Sequence, residues 1–75
     1  SILVFRYALD IRRQLAKKNP DAFAPDVAAT CNRLADLLSD TSNTKEAEKL
    51  YREALEIIRK VAKRNLDLFE PYVAN

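Results

Sequence analysis

The 75-residue chain has no glycine, no histidine and only one cysteine, Cys31. Without glycine it cannot form the phosphate-cradling loops of P-loop or dinucleotide-binding proteins, which depend on that residue's backbone freedom. Without histidine it lacks the usual general base and the commonest transition-metal ligand, so no ordinary hydrolase triad or zinc site can be assembled. A lone cysteine cannot close an intrachain disulfide, which fits a reducing, cytoplasmic setting. No apolar run reaches the roughly 18 residues that a bilayer-spanning helix needs. The apolar opening SILVF leads straight into Arg6 without the small-residue cleavage site of a secretory signal. These absences predict a soluble, non-catalytic protein with no cofactor, no metal and no membrane.

With 48% hydrophobic and 32% charged residues and a net charge of +2, the chain has a globular composition. A unit this small sits near the limit of independent stability, so partners should stabilise it. Its most informative feature is internal. The segment FRYALDIRRQLAKKNPDAFAPDVAA, from Phe5 to Ala29, returns 46 residues later as YREALEIIRKVAKRNLDLFEPYVAN, identical at 13 of 25 positions without a gap. Self-similarity at fixed spacing marks stacked repeats. The chain opens within one copy and stops within another, and we expect it to be about one and a half units of a longer array.

Ile2, Phe5, Leu9, Ile11 and Leu15, with Ala8 and Ala16, recur at helical spacing and predict a helix over 2–18. It should end at Asn19, because proline disfavours helical geometry in the residue before it. A loop over Asp21–Ala24 would follow. Pro25 then suits a first helical turn, with Asp26 at the positive helix end, and Val27, Cys31, Leu34 and Leu38 carry a second helix over about 25–39. The run Ser39 to Asn43 favours a turn. Asn43 and Glu46 have the spacing of a capping box opening a third helix. That helix carries the stripe Ala47, Leu50, Tyr51, Ala54, Leu55, Ile58, Val61 and Ala62, with Glu48/Arg52, Lys49/Glu53 and Glu56/Lys60 as pairs four apart. It should end near Asn65 as the first copy ends at Asn19, leaving 71–75 as the start of a fourth helix. The expected fold is all-α: antiparallel helical-hairpin repeats, about three helices and the start of a fourth, with 2–18 ending an incomplete unit and 25–64 forming a complete one.

The stretch VAATCNRLADLLSDTSNTKEAEKLYREALEI resembles a tetratricopeptide repeat (TPR), in the long-helix variety seen in kinesin light chains. The resemblance is carried by Leu34 and Ala35, Leu38 one turn on, Ala47 opening the next helix, then Tyr51, Ala54 and Leu55. It implies that Ala35, Ala47 and Ala54 allow close helix approach while Leu34, Leu38 and Tyr51 fill the space between paired helices. Cys31 stands where the family often has a large residue, and Ser42 where the turn often has glycine. HEAT-type units of similar length are the rival fold.

The resemblance also implies an α-solenoid that works as a protein-binding scaffold. The first helix of its hairpin would line a concave groove for a peptide or partner protein, through Asn32, Asp36, Ser39 and Asp40, with Ala29 at the edge. Asn32 is the sharpest candidate, since an amide both donates to and accepts from a peptide backbone. Asp36 and Asp40 read better as solvated carboxylates than as a catalytic pair, and Cys31 better as a buried small hydrophobe than as a reactive thiol. Two alternatives stand beside the scaffold. The apolar opening helix could drive self-association as a homodimer or helix swap. The clusters Arg12, Arg13, Lys17, Lys18 and Arg59, Lys60, Lys63, Arg64 could attract nucleic acid, against which the small net charge and absence of an RNA-reading motif argue.

Overall fold

The computed structural model describes the backbone of residues 1–73 and the side chains of residues 1–67. It contains three helices, α1 (Ile2–Lys18), α2 (Pro20–Asp40) and α3 (Thr44–Val73), and no strand among the described residues. Central α2 packs against both of the others, and among the described residues the backbones of α1 and α3 do not meet directly. The short connections make successive helices antiparallel, so α1 and α3 run in the same direction.

The Ser1 side chain caps α1 by accepting the Val4 N–H at 3.4 Å, and Lys17 and Lys18 complement the negative end of the helix. Asn19 then does two jobs. Its N–H closes α1 by donating to the Leu15 carbonyl at 2.9 Å, and its Oδ1 opens α2 by accepting the Ala22 N–H at 3.4 Å. Pro20 occupies the first helical position, where its missing N–H costs nothing. The expected loop at 21–24 is therefore helix, and α2 begins at Pro20 instead of Pro25. Pro25 lies inside the helix, and the carbonyl it leaves without a donor is that of exposed Asp21, within reach of water.

The core is built around α2, whose Val27, Ala28, Cys31, Leu34, Ala35 and Leu38 are buried together with Leu9 of α1 and Ala47, Leu50 and Ala54 of α3. Four alanines among these ten residues let the helix axes approach closely, which the leucines could not do alone. Thr30, the buried polar residue, is satisfied: its Oγ1 donates to the Asp26 carbonyl at 2.8 Å and accepts from Arg12 at 2.7 Å.

The α2–α3 turn is a Schellman closure. The Asn43 N–H donates to the Leu38 carbonyl at 2.9 Å and the Ser42 N–H to the Ser39 carbonyl at 3.3 Å. Ser42 consequently takes a left-handed φ of 70°. The expected capping box does not form. The Asn43 amide turns back to Thr41 Oγ1, and both Glu46 oxygens are taken by Arg6.

A third correction concerns α3, which does not stop at Asn65 but continues to Val73. Leu66 stands where the first copy has Pro20, so nothing pushes Asn65 out of helical geometry. The expected fourth-helix start at 71–75 continues α3 up to Val73, and its last two residues lie outside the described residues.

Candidate docking groove

Asn32, Asp36, Ser39 and Asp40 all lie on the last two-thirds of α2, away from the buried core. Asn32 is half-buried and the other three are exposed. The Tyr51 hydroxyl on α3 donates to Asp36 Oδ1, so this carboxylate is fastened to the groove's opposite wall. That bond, ahead of partial desolvation, holds the Tyr51 phenol above its ordinary pKa, with Asp40 adding to the negative field. Tyr51 was expected to fill the space between the helices; with its ring exposed and its hydroxyl on Asp36 it sits on the rim instead.

Asn32 also borders a cleft of about 440 Å³ between Pro25 and Ala29 of α2 and Ile58, Ala62 and Asn65 of α3. A second cleft, of about 460 Å³, opens between Pro20 and Ala24 on one side and Lys60 and Arg64 on the other. The two share Ile57, Val61 and Asn65, so they flank one line along which α2 and α3 diverge. Arg64 spans the second cleft by pairing with Asp21 at 3.0 Å. The α3 floor beside Asn32 is apolar and open. Leu55 and Ile58 are 46% and 50% exposed. The whole surface thus has an amide at its centre, an apolar wall along α3 and carboxylates at the Tyr51 end.

Two ion pairs that the sequence reading missed bind α1 to α3 across the α2 layer. Arg13 makes a forked contact with Glu53, at 3.0 and 2.6 Å, and Arg6 meets Glu46, with one contact at 2.9 Å. Both arginines and both glutamates are seven residues apart, so each pair lies two helical turns from the other on parallel helices. The Arg6 hydrogen bond pulls the Glu46 carboxyl below its usual range. None of the three expected four-apart pairs on α3 is among the ion pairs of the described residues, and Glu53 turns to Arg13 instead of Lys49. A clue was available, because Arg6 and Arg13 repeat as Arg52 and Arg59.

Cys31 is fully buried, and burial pushes its thiol up to about 11, which leaves it protonated and unreactive at neutral pH. Of the basic clusters, Arg13 is spent on Glu53, Arg12 on Thr30 and Arg64 on Asp21. Among the described residues no three cysteine or acidic side chains gather to hold a metal ion, and no helix is long and apolar enough to cross a membrane.

Three helices, each antiparallel to the next, with alanines at their contacts, a groove on one side and a segment, Phe5–Ala29, that returns 46 residues later, define a helical-hairpin repeat protein. The family model for the tetratricopeptide repeat matches residues 27–65, and the chain belongs to that family, whose repeats serve as protein–protein interaction scaffolds. Neither the curated proteins nor the solved structures include a significant match.

Proposed function

We propose that the chain is a non-catalytic scaffold segment that receives a peptide or a partner's helix in the α2–α3 groove. Asn32 would hold the ligand backbone, Asp36 and Asp40 its basic groups, Ser39 would add a hydroxyl, and Leu55 and Ile58 would seat its apolar side chains. The observation that carries this reading is the continuity of the surface. Asn32 borders the cleft that Ile58 also lines, and one turn further along α2 Asp36 is tied to Tyr51 of α3, which supports reading the four α2 residues as one surface. In this reading α2 and α3 form the hairpin of one repeat unit, and α1 corresponds to the second helix of another unit of the same kind. A reducing, cytoplasmic setting fits the lone buried thiol.

The test is selection of a displayed random-peptide library against the chain, followed by amide chemical-shift mapping with the selected peptide. Shifts should cluster at 29–40 and 51–62, and Ile58→Glu should abolish them. Shifts confined to the outer face of α1 or to the basic residues at 59–64 would overturn the assignment.

A further inference from the structure

The repeat supplies an internal control for exposure. Leu9 is 2% exposed beneath α2, whereas Leu55, the same residue one repeat later, is 46% exposed. The α3 stripe of Tyr51, Leu55, Ile58 and Leu66 therefore has the character of a buried surface without its cover. Helix α1 shows the converse. Ile2, Phe5, Leu9 and Ala16 pack toward the core, while Leu3, Tyr7, Ile11 and Leu15, spaced by four, form a second apolar stripe on the opposite side. A surface helix ordinarily keeps that side polar. Leu3 and Tyr7 are 77% and 72% exposed.

These two open stripes lie on the outer helices of the same three-helix stack, and their lengths match. Leu3 to Leu15 spans about 18 Å and Tyr51 to Leu66 about 22 Å at the helical rise. Charge fixes how they meet. The groove is acidic where Asp36 and Asp40 lie near Tyr51, and α3 is basic further along at Arg59 and Lys63, while α1 is basic at its end through Lys17 and Lys18. Laid antiparallel to α3, α1 brings its lysines to the carboxylates; laid parallel, it sets them against Arg59 and Lys63.

We infer that the groove's occupant is α1 of a second copy of this chain, seated antiparallel on α3 with Leu15 near Tyr51 and Leu3 near Leu66. The inference rests on the groove reading and names its ligand. Because α1 and α3 are different surfaces, the contact is heterologous: each added copy covers one groove and offers a fresh one, and growth is open-ended.

Sedimentation equilibrium of the 75-residue chain tests this with two variants at exposed positions, Tyr7→Glu on α1 and Ile58→Glu in the groove, each checked for helix content. The parent chain should gain mass with concentration beyond a dimer, and each variant alone should stay monomeric. An equimolar mixture of the two should form a one-to-one heterodimer and stop there, since only one good α1 and one good groove remain. Reversing Lys17 and Lys18 to glutamate in the Ile58→Glu partner should weaken that heterodimer several-fold. Strengthening would overturn the antiparallel seating. A monomeric parent, a parent that closes as a dimer, self-association by Tyr7→Glu or a mixture that stays monomeric would overturn the inference itself. Tyr7→Glu keeps its groove intact, so peptide mapping on that variant judges the groove reading separately.

Discussion

Ser42→Gly should stabilise the protein. Ser42 sits at the residue after the α2 cap with φ 70°, and the two bonds of the Schellman closure, from Ser42 to Ser39 and from Asn43 to Leu38, hold it there. A side chain in left-handed geometry costs roughly 1–2 kcal/mol through the clash of Cβ with the following carbonyl. Glycine removes that clash but loses roughly 0.5–1 kcal/mol through the greater freedom of its unfolded chain. The difference leaves about 0.5–1 kcal/mol in favour of glycine, since the Ser42 side chain is exposed and makes none of the turn's recorded hydrogen bonds. For a domain of this size that corresponds to a rise of about 3–6 °C in Tm. Thermal and urea unfolding followed by far-ultraviolet circular dichroism would measure it, with the urea slope unchanged because the exposed surface is the same. Ser42→Val, which puts a branched Cβ into the same geometry, should move Tm the other way. An unchanged or lowered Tm in Ser42→Gly would show that the left-handed residue is not the strained element of this turn.

Three further outcomes follow from the same geometry. Leu66→Pro should interrupt α3 at Asn65 by the mechanism that interrupts the chain at Asn19, and the backbone chemical shifts of Asn65 should leave the helical range while those of 44–62 keep theirs. Glu53→Gln should lower stability by about 0.5 kcal/mol, a small value because both partners of the Arg13 pair are partly solvated; urea titration would detect it, and a loss above about 2 kcal/mol would mean the clasp is more shielded than its exposure indicates. Cys31 is held neutral in the folded state with its pKa raised to about 11, so its contribution is complete below the unfolded thiol's value and is lost as pH rises toward 11. Stability should therefore fall between about pH 9 and 11, and in Cys31→Ala that part of the fall should vanish, as urea midpoints across the range would record.

The helices and their partners were legible because their signals are local and redundant. Cys31, Leu34 and Leu38 on one helix, and Ala47, Leu50 and Ala54 on the next, recur at three- and four-residue intervals, and each is buried. The helix boundaries were harder, because two prolines competed. Pro20 and Pro25 are both compatible with a first turn, and only the capping bond that the Ala22 N–H donates to the Asn19 side chain decides for the earlier one. The run past Asn65 turned on the single difference between Pro20 and Leu66, which the surrounding similarity of the copies concealed. On the candidate groove, the α2 side was named from the resemblance, whereas the α3 side was read as core. Periodicity marks Tyr51, Leu55 and Ile58 as apolar stripe but cannot tell which edge of a wide stripe the neighbouring helix covers. The clasp from Arg13 to Glu53 joins residues 40 apart, a distance at which helix-surface rules say nothing.

Asn19 joins α1 and α2 as the lone residue between them outside helical geometry, with φ −144° and ψ 82°. Two dihedral angles therefore set the angle between the first two helices, and both flanking turns are tied to that same residue by hydrogen bonds. A pull along the chain cannot be absorbed there by loop slack. It passes directly into the helix ends, and the junction should behave under load as a rigid elbow, with yielding shifted to the longer turn at Thr41–Asn43.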